Sequence, residues 1–387
     1  NSKKIIHTKN TFRFLKSLAK TKRDQSYSKI IAITGSSGKT TVKHLLGNIL
    51  KNYKKTYYSP KSFNNHYGVP LSLCNLSITD NYGVFEIGMS KSGEINNLSK
   101  LLRPDIAMIT NISEAHIENF KNISEIAKAK GEIIDNIKKN GYLILNRDDK
   151  FFSYHKIRAE RKNIKVLSFG MNKKANVYPI KLKNKNGKFF IKIKIFNKII
   201  SLKIKNHKII NVLAIVLILS ILDINLNKIN NFINTVQLME GRGKLIKINH
   251  NKITFNLIDE SYNANPLSVK ESIKSFSKLS RLNSKKYLLL GDMLELGKKS
   301  DNYHQKISTE INNSDIDKLF VYGNHIMNTL KHVNKKKRGN ILQLKSDFND
   351  TLLPVIKNND FLMIKGSNAT GLNELTKKLT RTKSNAL

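Results

Sequence analysis

One feature constrains the possible fold of this chain most: a strand-like segment is followed by a glycine turn and then by a helical pattern. Residues 30–34 form a short, mostly apolar segment, the turn after it carries two glycines, and residues 42–50 place apolar side chains at helical spacing. Similar strand-like segments recur, separated by helical patterns such as residues 123–137; they cover residues 82–87, 106–110 and 142–146. This alternation predicts an α/β fold with a mostly parallel sheet covered by helices.

The glycine turn has the composition of a phosphate-binding loop. Glycines let backbone N–H groups converge on phosphate oxygens at a helix N-terminus, a lysine can reach the terminal phosphates, and a threonine hydroxyl can bind Mg²⁺. Ile33 stands where the first glycine of the GxxxxGK[ST] motif belongs, so the match is imperfect. The strand before and the helix after still favour an ATP site over an accidental turn. Its residues are Gly35, Ser36, Ser37, Gly38, Lys39, Thr40 and Thr41.

A second α/β series follows the first. Residues 176–205 alternate as short strands around 184–187, which is typical of an antiparallel hairpin at a sheet edge, and an apolar helix from residue 209 closes the first series. The Glu-Gly-Arg-Gly segment near residue 241 predicts a hinge. The second series lacks GxGxxG, which predicts a Rossmann-like domain without a dinucleotide. Its five predicted strands are 253–258, 286–290, 318–322, 341–344 and 360–364.

One acidic and one imidazole side chain follow strands of the first series. Glu86 ends one predicted strand and His116 follows the next, so both should face the crevice that holds the phosphate loop. Such a pair can hold a divalent cation beside the γ-phosphate. Taken alone, each also fits a structural role, Glu86 as a helix-cap acceptor and His116 as a surface histidine.

The charge balance is strongly basic. Lys and Arg number 69 against 28 Asp and Glu, which gives a formal net charge of +41 and raises the possibility of a nucleic-acid partner. Only ten of these basic residues are Arg, and Lys is spread along the whole chain with abundant Asn and Ile. Because phosphate and base recognition favours clustered Arg, compositional drift explains the charge better than a polyanion does. The sequence therefore predicts no nucleic-acid partner.

Cysteine usage and hydropathy indicate the compartment. The single cysteine, Cys74, excludes a disulfide framework and fits a reducing cytoplasm. The longest apolar stretch, residues 209–222, is interrupted by two polar residues and is too short to span a bilayer. The first residues lack the apolar core of a signal peptide. We expect a cytoplasmic chain without membrane insertion.

Several longer motifs resemble the Mur ligase family. They are the glycine turn, Asn64-Asn65-His-Tyr-Gly68-Val-Pro70, Ala115-His116-Ile-Glu118-Asn-Phe120 with Ala127-Lys-Ala-Lys130-Gly-Glu132, Ser261-Tyr-Asn-Ala-Asn-Pro266, and Gly291-Asp-Met-Leu-Glu-Leu-Gly297. The resemblance runs from about residue 12 to residue 375. It implies a central P-loop-type ATPase domain with a mostly parallel sheet, a C-terminal Rossmann-like α/β domain, and an N-terminal UDP-binding domain that is largely absent. The expected boundaries are 1–25 for a remnant or linker, 26–238 for the central domain and 239–387 for the C-terminal domain.

The resemblance also implies a reaction. Its motifs are those of the member that adds D-Ala-D-Ala to UDP-MurNAc-tripeptide, using ATP to activate the tripeptide carboxylate as an acyl phosphate and releasing ADP and phosphate. A monomeric bacterial peptidoglycan-synthesis enzyme is expected. Whether the third tripeptide residue is diaminopimelate or lysine stays open. Another amide ligase of the superfamily, such as a folylpolyglutamate synthase, and a basic nucleic-acid-binding ATPase are the alternatives.

The family pattern assigns roles to individual residues. Two Mg²⁺ ions are expected, with Thr40, Glu86, His116 and Lys130 as ligands, Lys130 acting as a carbamate formed with CO₂ because an ammonium would repel the cations. Arg242 is expected to stabilise the transferring phosphoryl group, Asn211 to lie near the adenine, and Asn64 and Asn65 to contact substrate. Asp259, Glu260 and Asn263 are expected near the nucleotide, with strand-end capping as the competing role for the two acids.

Three positions depart from the family pattern. Lys208 replaces an asparagine that the family usually places near the nucleotide. Glu260 replaces an aspartate, and Asn368 stands where an arginine is common. We expect these changes to alter affinity and not the class of reaction.

Overall fold

The computed structural model describes residues 7–185, 188–205, 207–250, 253–279, 283–343 and 346–381. It divides into two compact units. The first runs to Ile112 and then contains Asn122–Lys183 and Phe189–Val236, and the second contains Ser113–Lys121, Asn184–Lys188 and the chain from Gln237 onward. None of the described helices is both long enough and apolar enough to cross a bilayer.

The first unit is built around a nine-stranded sheet in the order β2-β3-β1-β4-β5-β6-β7-β8-β9. Pairing is parallel from β2 to β7, and β8 pairs with β9 antiparallel. The strands are β1 Lys29–Thr34, β2 Thr56–Tyr58, β3 Tyr82–Glu86, β4 Ile106–Ile109, β5 Tyr142–Asn146, β6 Lys165–Phe169, β7 Val177–Lys185, β8 Lys188–Ile195 and β9 Lys198–Ile204. The predicted α/β fold with a mostly parallel sheet is confirmed.

In the described part of the first unit, eight α-helices accompany these strands. They are α1 Thr11–Gln25, α2 Lys39–Lys51, α3 Gly68–Cys74, α4 Glu94–Leu102, α5 Ile123–Lys130, α6 Phe152–Glu160, α7 Ile209–Ile221 and α8 Ile229–Ile233. The helix predicted over 123–137 ends earlier than expected, because the backbone tightens into a 3₁₀ helix over Gly131–Asn136. The apolar helix predicted from residue 209 is α7, and its residues 212–219 are completely buried.

Two asparagines, one in α8 and one at its C-cap, hydrogen-bond the outer edge of β9, the last strand of the sheet. Asn230 accepts from Lys203 N at 2.9 Å and donates to Ser201 O at 3.0 Å. Asn234 accepts from Lys205 N at 2.9 Å and donates to Lys203 O at 2.6 Å. The amide side chains therefore hydrogen-bond the backbone of an edge strand where a further strand would otherwise pair.

The second unit contains a six-stranded sheet in the order β10-β11-β15-β12-β13-β14. The strands are β10 Lys244–His250, β11 Ile253–Glu260, β12 Lys286–Gly291, β13 Lys318–Tyr322, β14 Arg338–Leu342 and β15 Phe361–Lys365, and the helices are α9 Pro266–Ser277, α10 Ser300–Asn312, α11 Met327–His332 and α12 Leu372–Arg381. Five of the strands are parallel, in agreement with the Rossmann-like prediction. The prediction of only five strands is wrong, since β10 adds an antiparallel sixth.

The predicted hairpin between 176 and 205 is part of a larger arrangement. The strands lie at the edge of the first sheet, as predicted, and β8 and β9 are antiparallel, but there are three of them, β7 to β9, and not the two of a hairpin. The tip at residues 186–187 lies outside the described residues, as does residue 344 of the predicted strand 341–344. The corresponding strand β14 begins three residues earlier, at Arg338.

Candidate active site

The glycine turn connects β1 to α2 at the carboxyl edge of the first sheet. Gly35 has φ +140° and Gly38 has φ +84°, backbone angles that side chains with a Cβ rarely adopt. A Cβ on Gly35 would lie only 1.9 Å from Thr110 Oγ1. Gly38 caps α2 without a side chain, so the positive end of the helix dipole meets the turn. This geometry suits the binding of a phosphate group.

Two residues that follow β4 clamp this turn. Thr110 Oγ1 donates to Ser37 O at 2.6 Å. Asn111 accepts from Ser37 N at 3.0 Å through its side chain and from Ser36 N at 2.9 Å through its carbonyl. Sequence reasoning missed both residues. The signal was available, because polar residues directly after a buried parallel strand lie at the edge where ligands bind.

Lysine and threonine side chains complete the turn. Lys39 Nζ donates to Gly35 O at 2.8 Å, so the ammonium is folded back over the loop. Thr40 Oγ1 lies 3.5 Å from Ser62 Oγ and is buried. The side chain of Asn211 also approaches the loop, since a Cβ built on Gly38 would lie 3.5 Å from Asn211 Oδ1. The predicted ATP-binding residues of the first unit therefore converge on one place.

Glu86 lies at the end of β3, next to the turn. Its side chain is 1% exposed, and its Oε1 accepts from Asn64 Nδ2 at 2.7 Å. Its Oε2 accepts no hydrogen bond from the described residues and lies 3.7 Å from Lys43 Nζ. Lys43 was not predicted from the sequence, although it sits one helical turn after Lys39 on the same face of α2.

The donor set around Glu86 fits a hard cation. A buried carboxylate oxygen without a hydrogen bond and a nearby threonine hydroxyl are oxygen ligands of the kind that Mg²⁺ prefers. Among the described residues, no three His, Cys, Asp or Glu side chains form a complete cluster. Mg²⁺ sites next to phosphates commonly use one or two protein carboxylates, and the phosphates and water supply the rest.

Lys130 is the last residue of α5 and is 1% exposed. Burial, and after it the positive charge of Lys39, hold the pKa of the Lys130 ammonium well below its usual range. Over the described part of the chain, no carboxylate forms an ion pair with its Nζ. A buried amine in this environment favours the neutral form, which is the form that reacts with an electrophile such as CO₂.

The two asparagines that are predicted to contact substrate, Asn64 and Asn65, have different surroundings. Asn64 links the loop before α3 to Glu86, and its carbonyl accepts from Gly88 N at 2.8 Å. Asn65 is exposed and accepts from Gly68 N at 2.8 Å, which caps the start of α3. Asn64 is therefore held against the candidate metal ligand, whereas Asn65 has a helix-capping contact.

His116 belongs to the second unit, in the segment Ser113–Lys121. Its Nδ1 lies 2.6 Å from Oε2 of Glu295, and both residues have positive φ, +59° and +62°. The hydrogen bond from His116 lowers the pKa of the Glu295 carboxyl. The structure thus pairs His116 with the Glu295 motif, while Glu86 and Lys130 lie in the first unit.

Asp259 is the penultimate residue of β11 and organises the turn that carries Arg242. Its Oδ2 accepts from Gly241 N at 2.8 Å, and its Oδ1 accepts from Ser261 Oγ at 2.6 Å. The Arg242 guanidinium stacks 4.0 Å from the centroid of the Tyr262 ring. The carboxylate of Asp259 therefore has the capping contacts considered as its alternative role.

Glu260 and Asn263 both contact a buried lysine, Lys365, which lies at the end of the neighbouring strand β15. Lys365 Nζ lies 3.4 Å from Glu260 Oε2 and donates to Asn263 O at 3.0 Å. The Asn263 side chain is exposed, and its Oδ1 accepts from Ala264 N at 2.8 Å. These contacts place Glu260 and Asn263 beside the same turn as Asp259.

The first unit has the fold and loop of a nucleotide-phosphate-binding enzyme, and the second is a Rossmann-like domain. Family models agree: residues 33–219 match the Mur ligase middle domain, and residues 241–368 match the Mur ligase glutamate ligase domain. The UDP-N-acetylmuramoyl-tripeptide--D-alanyl-D-alanine ligase of Rickettsia prowazekii is 33% identical over 96% of this chain and 82% of its own length. The chain belongs to the Mur ligase family.

Solved structures agree with this assignment. A crystal structure of MurF from Acinetobacter baumannii superposes with a TM-score of 0.86 at 27% identity, covering 97% of this chain and 81% of the other. MurF from Thermotoga maritima, solved in complex with ADP, has a TM-score of 0.84 at 24% identity, covering 98% of this chain and 86% of its own. At 24% identity, the similarity to the T. maritima structure concerns the fold alone.

Proposed function

We propose that this chain is an ATP-dependent amide ligase that joins D-Ala-D-Ala to the terminal carboxylate of UDP-MurNAc-tripeptide. The observation that carries the proposal is the glycine turn at the N-terminus of α2, clamped by Asn111, in a chain of the Mur ligase family. The R. prowazekii relative bears the name of this ligase, and the T. maritima enzyme binds ADP.

The reaction has two balanced steps. A carboxylate oxygen of the tripeptide attacks the γ-phosphorus, the bond between the β,γ-bridging oxygen and that phosphorus breaks, and ADP leaves. The amine nitrogen of D-Ala-D-Ala then attacks the acyl carbon, inorganic phosphate leaves, and the nitrogen loses one proton. Activation is necessary because a carboxylate is a poor electrophile at neutral pH.

Residues of the glycine turn would hold and orient the phosphates. Gly35, Ser36, Ser37 and Gly38 offer the loop, whose two glycines have positive φ, and Lys39 supplies a positive charge that folds over it. In the same role we place Thr40 and Thr41 at the start of α2. Asn211 lies against this loop and is proposed to reach the nucleotide.

Mg²⁺ is the proposed metal, and it would offset repulsion between the carboxylate and the γ-phosphate. Thr40 and Glu86 are the ligands supported by their position and by the unbonded carboxylate oxygen. His116 and Lys130 remain proposed ligands, the latter as a carbamate. Support for the carbamate is the buried amine without a carboxylate partner, because a carbamate would give this side chain oxygen donors.

The second unit is proposed to act on the nucleotide and the transferring group. Arg242 would stabilise charge that develops on the phosphoryl oxygens, as a planar cation can. Asp259 and Glu260 would face the ribose hydroxyls, with Asn263 close to the nucleotide. Asp259 would also position the turn of Arg242 through Gly241. We assign Asn64 and Asn65 to the substrate. The proposed domain boundaries are 26–238 and 239–387, with 1–25 as a leading segment, in a cytoplasmic monomer.

An ADP-release assay tests the function. We expect ADP only when ATP, UDP-MurNAc-tripeptide and D-Ala-D-Ala are all present, together with a product whose mass equals the tripeptide substrate plus the dipeptide minus water. Lys39→Met should abolish this activity, whereas Lys54→Met, an exposed lysine beyond α2, should not. ADP release with glutamate in place of D-Ala-D-Ala, or none with any amine, would contradict the proposal.

A further inference from the structure

One face of the sheet extension β7 to β9 carries charge of a single sign. From Arg161 to Leu222 the sequence contains fourteen Lys and one Arg but no Asp or Glu. The remaining chain mixes both signs, so this segment departs from the average composition as well as from neutrality. Compositional drift toward Lys explains an excess of lysine, but it does not explain why all 28 acidic residues lie elsewhere.

The alternating pattern of β8 separates this charge from the core. Ile191, Ile193 and Ile195 are buried in the first unit, while Lys192 and Lys194 between them are exposed. The same alternation in β9 turns Leu202 inward. Because side chains alternate across a strand, the lysines of neighbouring strands collect on one face.

This face contains a groove with a volume of about 390 Å³. Its lining residues include four lysines and two buried apolar residues, Ile191 and Leu202. The side chains that define it are Lys181, Lys183, Lys192, Lys203, Phe190 and Asn230. None of the lining residues is acidic, so an occupant with negative charge would complement the groove.

Apolar side chains accompany the lysines. Phe190 is 41% exposed, with Lys203 Nζ 5.6 Å from its ring centroid, and Ile199 on the same face of β9 is 62% exposed. A bilayer interface accommodates this mixture, since headgroup phosphates attract lysines while the apolar side chains enter the acyl boundary. Nucleic acid fits less well, because the lining residues include no Arg and one aromatic ring only.

We propose that the face formed by Lys181, Lys183, Lys192, Lys203 and Phe190, here called the lysine face, docks the protein on the surface of an anionic lipid bilayer. The docking is peripheral and reversible, because it uses exposed side chains of a folded sheet. It is independent of the ligase reaction, since no residue assigned to phosphate, metal or substrate lies on this face.

Vesicle sedimentation tests the lysine face. At about 0.1 M salt, where charges still interact over about 10 Å, the wild-type chain should sediment with phosphatidylglycerol vesicles and not with phosphatidylcholine vesicles. Reversal of Lys181, Lys183, Lys192 and Lys203 to Glu should weaken this binding roughly tenfold or more, because each lysine near an anionic surface contributes to it. In the absence of vesicles, the ligase activity of this reversal variant should stay within about twofold of wild type.

A matched variant separates a local surface from net charge. Lys306, Lys331, Lys335 and Lys336 are exposed lysines of the second unit, and their reversal to Glu changes the net charge by the same amount. This control should retain most of the vesicle binding. Equal losses in the two variants, no sedimentation with phosphatidylglycerol, or tighter binding to RNA than to vesicles through the same four lysines would overturn the proposal.

A spectroscopic readout does not depend on the charge-reversal variant folding. The chain contains no Trp, so Phe190→Trp introduces a single fluorophore into the lysine face. Its emission should shift to shorter wavelength on phosphatidylglycerol vesicles and be quenched by brominated lipid. Tyr154→Trp on α6, at a position 44% exposed, is the matched control and should show neither effect. An unchanged Phe190→Trp emission would overturn the proposal.

Discussion

The ammonium of Lys43 lies 3.7 Å from Oε2 of Glu86, and both side chains are 1% exposed. Additional hydrogen bonds accompany this pair, since Lys43 Nζ donates to the carbonyl of Lys61 and Asn64 donates to the other oxygen of Glu86. Two desolvated charges are tolerated when each has such partners. Lys43 thus connects α2 to the candidate metal ligand Glu86 and to the loop that carries Asn64.

Lys43→Met should lower the free energy of unfolding by about 3 kcal/mol, because it leaves the Glu86 carboxylate buried without its counter-charge. The double variant Lys43→Met with Glu86→Gln should recover part of this loss. Urea unfolding of the four proteins in the cycle measures the coupling. If the losses in free energy of unfolding simply add, the two charges do not interact. The control Lys54→Met should stay within about 0.5 kcal/mol of wild type.

Gly35→Ala should destabilise the first unit by about 2 kcal/mol and weaken ADP binding. Its φ of +140° is strained for alanine, and the added Cβ would collide with Thr110 Oγ1, which holds Ser37. Gly93→Ala is the control for strain alone, because Gly93 has φ +86° and no atom within 4 Å of the built Cβ. Calorimetric titration with ADP and urea unfolding distinguish the two. Similar ADP affinities in both variants would contradict the clamped-loop geometry.

Lys130→Ala should abolish ligase activity if the side chain acts as a carbamate. Formate or acetate should then restore part of the activity, because a small carboxylate can occupy the space that the side chain leaves. Wild-type protein in ¹³C-bicarbonate should also give a carbamate signal that the variant lacks. Lys128→Ala, an exposed lysine of the same helix, should keep full activity. Absence of both rescue and signal would exclude the carbamate.

Arg242→Ala should reduce kcat by roughly 10²- to 10³-fold, the usual effect of removing one group that stabilises transition-state charge. Arg242→Lys should be only partly active, since it keeps the charge but loses the planar contact with Tyr262. Arg147, which stacks 4.1 Å from the Phe152 ring, offers a control that loses the same kind of contact. If Arg147→Lys lowers kcat as much, the Arg242 effect is not specific.

Acidification should destabilise the chain through buried histidines. Burial lowers the pKa of His304, whose Nε2 accepts from Met293 N at 2.9 Å and whose Nδ1 lies 2.8 Å from Ser300 O. The unfolded chain therefore binds a proton at a higher pH than the folded chain does. Stability conferred by the neutral ring is present above the unfolded pKa of about 6.5 and is lost as pH falls below it.

Urea unfolding at pH 7.5 and 5.5 measures this effect. Burial also lowers the pKa of His155 and His207, so several groups contribute in the same direction. His304→Gln should reduce the difference between the two pH values, whereas His332→Gln, at an exposed histidine, should preserve it. An unchanged difference in His304→Gln would show that the ring does not titrate in this range.

The parallel sheets were predictable because their strands are short apolar segments followed by helical patterns. β13, at Lys318–Tyr322, agrees to the residue, and α7 begins where the apolar run begins. β10 was missed because its exposed positions break the apolar signal, and it is stabilised by pairing with β11 along seven residues. Tertiary pairing of this kind overrides local pattern.

Parts of the candidate site were predictable for a similar reason. The two glycines between a strand and a helix predicted the phosphate turn, and both have positive φ in the structure. Glu86 was predictable because it ends a buried strand. Lys43 and Asn111 carry no such signal, because lysine and asparagine occur throughout this chain and only the fold brings these two to the turn. The role of Asp259 depends on a contact with Gly241, eighteen residues away, which spacing alone does not define.

The two asparagines that hydrogen-bond the edge of β9 affect the tendency of the chain to aggregate in a crowded solution. Strands that alternate Ile and Lys, as β8 and β9 do, are good templates for recruiting another strand when their backbone groups are open. Asn230 and Asn234 hydrogen-bond four such groups at the outer edge of β9, the N–H groups of Lys203 and Lys205 and the carbonyls of Ser201 and Lys203. Two side chains thus take the place of a tenth strand and protect the sheet against intermolecular pairing that could begin aggregation.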